Sequence, residues 1–248
     1  MDKQISLRIF LGMIVVYAVL AGMSVFLPQG PSTSTLVAPM PAPVPVMAVA
    51  NAAVVLVVYG GLGLAGFFLA RKLGLPELWD THMSSRLRFL NPALVGATVG
   101  LVIIVADLIF SPINGVGRLP HPPFPTSLVA SITAGIGEET IFRLFFISFW
   151  TWLVSSVLLR GRFQTPVYWV VSLFSAAAFG LGHLPSIMFL EGWTSMAQVP
   201  GALLAELLLL NGLISLAAAY MFKKYGFLAP VGVHFWCDVV WHVLWGAL

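Results

Sequence analysis

Residues 127–159 read SLVASITAGIGEETIFRLFFISFWTWLVSSVLL. The stretch is apolar and longer than the roughly 20 residues a helix needs to cross a bilayer, yet it carries Glu138, Glu139 and Arg143. An ionisable side chain at mid-membrane costs about 2.5 to 3.5 kcal/mol even on the lenient insertion scale. Three within six residues therefore need partners and a purpose.

The rest of the chain fits a membrane setting. Of its 248 residues, 59% are hydrophobic and 8% charged, and the mean hydropathy is +0.98; a soluble domain carries about 25% charged residues. The expected fold is all-α, a polytopic transmembrane bundle of about seven spans in one integral-membrane domain over 1–248. The spans are read at 9–26, 46–70, 93–110, 127–159, 167–183, 203–222 and 228–244. The first begins with Lys3 and Arg8 like a signal peptide, but its apolar run is longer than a signal core and lacks a small-x-small exit before Pro28, which predicts a retained anchor. Residues 1–126 supply spans of unassigned role and 127–248 the chemistry.

Ten of the twelve Lys and Arg residues fall in alternate connections, with Arg118 alone on the other side and Arg143 inside a span. Positive charge accumulates in cytoplasmic loops, so the amino terminus is expected in the cytoplasm and the carboxyl terminus outside. The same rule accounts for the net charge of +3, and no basic, aromatic-interleaved patch suggests nucleic acid. Two connections, 28–45 and 112–125, hold eleven of the seventeen prolines and are expected to be irregular linkers or flaps. No matched pair of broken helices signals a transporter repeat. The single cysteine, Cys237, excludes a disulfide framework and reads as packing.

The other intramembrane polar residues are Asp107, His183, Glu206, Asn211, His234, Asp238 and His242. Arg143 lies one helical turn after Glu139 and can neutralise it, while Glu138, about 100° round the helix, is left to face something else. His183 ends a span rich in Ala, Gly and Ser, residues that let helices approach closely. His234 and Asp238 share one helix face, with His242 a further turn on. His242 and His121 read as hydrogen-bonded core or interfacial histidines, Asp107 and Glu206 as links between helices, and Trp193, Trp241 and Trp245 as interfacial anchors.

Three patterns in order resemble the CAAX prenyl protease and bacteriocin-processing (CPBP, or Abi) family of intramembrane peptidases. They are two glutamates, three residues and an arginine (Glu138, Glu139, Arg143); a Phe and a His separated by three residues (Phe179, His183); and a His followed four later by Asn or Asp (His234, Asp238). The lead-in YGFLAPVGVHFWCD is also similar, and the resemblance runs from about residue 127 to the end. Asp238 departs from the commoner Asn; an Asp donates a hydrogen bond only when protonated.

Peptide hydrolysis needs an activated water, a proton carrier for the leaving amine, and donors aimed at the tetrahedral oxyanion. Glu138 suits the base, His183 the holding of water, Glu139 a second carboxylate kept ionised by Arg143, and His234 with Asp238 the polarising of the carbonyl; the resemblance implies the same division, with Phe179 in support. A zinc site using Glu138, His183 and His234 is the rival, disfavoured because no H-E-x-x-H turn is present, so no cofactor is expected. Serine and aspartyl motifs are absent. A proton-coupled transporter and a non-catalytic membrane partner or immunity-type protein remain as alternatives. The expected partners are the bilayer and a membrane-associated peptide or protein, and the expected location is a prokaryotic plasma membrane. A rise of about 1.5 Å per residue puts Glu138 and Asp238 near mid-membrane but His183 close to a span end; a tilted or deeper fifth span, or a wet cavity off the midplane, would reconcile them.

Overall fold

The computed structural model describes residues 2–30 and 42–248. Among them the regular structure is entirely helical, and six helices are long and apolar enough to cross a membrane. These are α1 (Asp2–Ser24), α2 (Val44–Lys72), α3 (Arg86–Phe110), α4 (Thr126–Leu158), α5 (Gln164–Leu190) and α6 (Gly201–Tyr225). A seventh, α7 (Leu228–Asp238), continues through Val239–Leu244 in wider π-type turns. Their outer faces expose large apolar side chains such as Val19, Val57, Leu101, Val105, Ile109, Phe174 and Leu209, more than a water-facing monomer tolerates. The chain is an integral membrane protein. Most of the expected 28–45 linker lies outside the described residues.

The basic turns meet at one end of the bundle. Arg71 donates from Nη2 to the Lys3 carbonyl at 2.7 Å and pairs with Glu77 at 2.9 Å. Gln164 donates to the Leu73 carbonyl at 2.6 Å, and Lys223 reaches the Thr165 hydroxyl at 3.5 Å. Gly226 stops α6 at this end with φ +78°; a Cβ there would stand 2.4 Å from the Glu77 carbonyl oxygen, so only glycine fits.

α7 packs on α3, α4 and α6, and α5 packs on α6. Small residues set the spacing: a Cβ on Gly96 of α3 would lie 2.2 Å from the carbonyl oxygen of Val233 on α7, while one on Gly61 would meet nothing within 4 Å. Gly96→Ala is expected to push α3 off α7 and lower stability by about 1 to 3 kcal/mol, the usual cost of overpacking. Gly61→Ala should leave the melting temperature in detergent unchanged, and thermal unfolding of the two variants side by side checks both statements.

The fifth span corrects the sequence reading. It does not end at His183 but resumes as Leu184–Leu190 after a break at His183. Pro185 has no N–H to give the Leu181 carbonyl, which interrupts the ladder without ending the helix. His183 therefore lies inside a 27-residue span, and its apparent misplacement near a membrane surface disappears.

Candidate active site

The site grows from three helices. On α4, regular α-helix runs to Glu139 and gives way to π-type turns over Thr140–Ile147, a local widening often found at functional sites. The two glutamates diverge as helical geometry requires: the Glu139 side chain is 0% exposed and that of Glu138 is 37% exposed. Glu139 Oε2 stands 3.1 Å from Arg143 Nε. The guanidinium, itself fully buried, lies 4.8 Å from the centroid of the Phe179 ring.

Glu139 has a second partner that helical spacing did not reveal. Its Oε1 is 2.7 Å from His234 Nδ1 on α7. A carboxylate paired with Arg143 only accepts, so His234 Nδ1 donates and the ring is fixed with Nε2 outward. There Nε2 stands 3.6 Å from Asp238 Oδ2 and 3.7 Å from Glu138 Oε2. His183, at the break in α5, donates from Nδ1 to the Phe179 carbonyl at 2.8 Å; the neutral ring then presents a lone pair at Nε2. Phe179 sits between the two histidines, its ring centroid 5.0 Å from His183 and 5.7 Å from His234.

Glu138, His183, His234 and Asp238 all line one cavity of about 350 Å³, room for about a dozen waters at ~30 Å³ each. Glu139 and Arg143 lie behind its wall. Among the described residues no three His, Cys, Asp or Glu side chains are grouped to hold a metal ion.

Several residues given background roles, or in the case of Asn211 no role, on sequence grounds belong to this cavity. His242, Trp241, Cys237 and Asn211 line it, and Trp241 is 7% exposed, a buried wall rather than an interfacial anchor. The one signal for His242 and Trp241 was their position, two turns beyond His234 and one turn beyond Cys237 on the same helix. Asp107 and Glu206 do link α3 to α6, but through the intervening loop. Asn114 donates to Glu206 Oε2 at 2.7 Å, and the Leu119 N–H donates to Asp107 Oδ1 at 3.2 Å.

That loop lines the end of the cavity away from the basic turns. Leu119 and Pro120 contribute to the lining, His121 Nδ1 meets His242 Nδ1 at 3.1 Å, and the Arg118 guanidinium lies 4.5 Å from the Trp245 ring centroid. Burial lowers the pKa of His121 from the ordinary imidazole value; Asp107 opposes the shift and Arg118 adds to it. The 112–125 connection is thus a flap with a defined seat.

Residues 120–240 match the family described as type II CAAX prenyl endopeptidase Rce1-like, and this segment contains every residue from Glu138 to Asp238 that meets around the cavity. Over this segment the chain is similar to the CAAX protease family. No curated protein and no solved structure matched the chain. The similarity covers just under half of the chain, and the cavity inside that segment is the place to look for its chemistry.

Proposed function

We propose that the chain is an intramembrane endopeptidase that hydrolyses a peptide bond of a membrane-associated substrate, with a glutamate and a histidine activating the water. The observation that carries this reading is the convergence of Glu138, His183, His234 and Asp238, from three helices, on one cavity within the family segment.

Water held between Glu138 and His183 Nε2 gives a proton to Glu138 while its oxygen bonds to the scissile carbonyl carbon. The carbonyl π electrons move onto oxygen, which rests against the His234 and Asp238 wall, where a proton on His234 Nε2 stabilises it. The tetrahedral intermediate then collapses; the C–N bond breaks and the proton on Glu138 passes to the leaving amine. Glu139 and Arg143 do not touch substrate. They hold the His234 ring, as a carboxylate orients a catalytic imidazole elsewhere.

The family description supports a prenylated or otherwise lipid-anchored peptide as the substrate class. The gathering of basic turns at one end of the bundle supports placing that end, with the amino terminus, in the cytoplasm.

The purified protein is expected to cleave a peptide from a panel carrying C-terminal farnesyl or N-terminal acyl anchors, with the rate unchanged by a strong chelator. His183→Ala should lower the rate by about 10²-fold or more, the range for removing a group that positions or moves the reacting proton. Loss of activity on chelation, restored by zinc, would instead move Glu138, His183 and His234 into a metal shell. A wild-type protein that cleaves none of the panel would count against the hydrolase reading.

A further inference from the structure

We infer that Asn211 of α6 donates a hydrogen bond to the scissile carbonyl oxygen of the bound peptide; this rests on the hydrolase reading above and adds a fourth helix to the site. The argument begins with which N–H and O–H groups the cavity can offer to a developing oxyanion. No Lys or Arg lines it. His183 has its Nδ1 proton on the Phe179 carbonyl and, when neutral, turns a lone pair inward. His242 has its Nδ1 engaged with His121, and its Nε2 carries a proton only in the tautomer in which that Nδ1 accepts. His234 gives its Nδ1 proton to Glu139, and any proton on Nε2 stands within 3.7 Å of carboxylate oxygens of both Glu138 and Asp238. Asp238 offers a donor only while protonated.

Asn211 differs from all of these. It is the one amide side chain in the lining, and its N–H groups donate at any accessible pH. One of them goes to the Leu207 carbonyl one turn back, at 2.9 Å. The second N–H and Oδ1 make no hydrogen bond to any described residue. Oδ1 is not among the buried polar atoms without a partner, so it is open to the cavity that Asn211 lines, and the back-bond to Leu207 holds the amide plane while the remaining donor is available there. The inference also meets the one departure from the family pattern. Where an amide is commoner at position 238, this chain has a carboxylate, and Asn211 brings an amide to the same cavity from the neighbouring helix.

The test is steady-state cleavage of one lipid-anchored peptide by wild type, Asn211→Leu, Asn211→Ala, Asp238→Asn and the double variant Asn211→Leu/Asp238→Asn, with Glu138→Gln alongside. Leu is near-isosteric and suits a membrane helix; Ala provides a second replacement should Leu overpack. Asn211→Leu and Asn211→Ala are expected to lower kcat by about 10²- to 10³-fold, the range for losing one oxyanion donor, with little change in KM. Adding Asp238→Asn to Asn211→Leu should restore at least about tenfold of that loss, because it returns an amide to the oxyanion wall. A kcat near wild type in a folded Asn211 variant, a loss confined to KM, or no recovery in the double variant would overturn the inference. A wild type that cleaves no lipid-anchored peptide would overturn the hydrolase reading itself, and an active Glu138→Gln would remove only Glu138 from the base role, which keeps the failures apart.

Discussion

Glu138→Gln is expected to reduce turnover of a lipid-anchored peptide by about 10²- to 10⁴-fold, the range for removing a general base, while leaving the fold intact. The side chain is the exposed member of the pair and faces the cavity, and its nearest charged contact is His234 Nε2 at 3.7 Å. Its Oε2 makes no hydrogen bond to any described residue. Gln keeps the volume and one carbonyl oxygen but cannot take a proton from water. Circular dichroism and the melting temperature in detergent should match wild type, and single-turnover cleavage should show the loss in the chemical step rather than in substrate binding. A variant within tenfold of wild type would remove Glu138 from the base role.

The largest effect on stability is expected at Arg143. Its guanidinium and the Glu139 carboxylate are both fully buried, so Arg143→Met leaves a desolvated carboxylate without its guanidinium partner and with only the His234 ring beside it. Breaking such a pair from one side costs about 3 to 5 kcal/mol. The double variant Arg143→Met/Glu139→Leu removes both charges and should recover much of that stability, since apolar replacement of a whole buried pair is often neutral. It should not recover activity, because His234 Nδ1 then loses the acceptor at 2.7 Å that fixes the ring. Thermal unfolding and cleavage measured on the same three proteins separate the two consequences. Equal stability of wild type and Arg143→Met would show that the pair contributes nothing.

Much of this architecture was legible in the sequence because the bilayer is a strict solvent. Long apolar runs ended by basic or Pro-rich turns located every helix, although the starts of the first and third and the end of the fifth were each misjudged by seven residues, and the four-residue spacing of Glu139 and Arg143 gave their contact. The 100° offset of Glu138 anticipated its separate environment. What the pattern could not carry were contacts between distant segments and departures from ideal helix geometry. Nothing local in the sequence says that Glu139 also accepts from His234, 95 residues away. The change from α to π turns directly after Glu139 and again after Asp238 shifts the register of every residue that follows. A proline two residues before an apolar stretch could end a helix or only break it, and at Pro185 it breaks it. The loop bearing Asn114, Leu119 and His121 looked like an irregular linker because its partners, Glu206, Asp107 and His242, lie on three other stretches of chain.

The central claim is that water held by Glu138 and His183 opens a peptide bond in this cavity. Its most direct test is cleavage of a single lipid-anchored peptide in H₂¹⁸O with chelator present, the products read by mass spectrometry for wild type, Glu138→Gln and His183→Ala. Wild type should release a fragment whose new carboxyl terminus carries one ¹⁸O, and neither variant should form it at a comparable rate. Equal product from the variants, or a wild-type reaction that stops on chelation, would contradict the account.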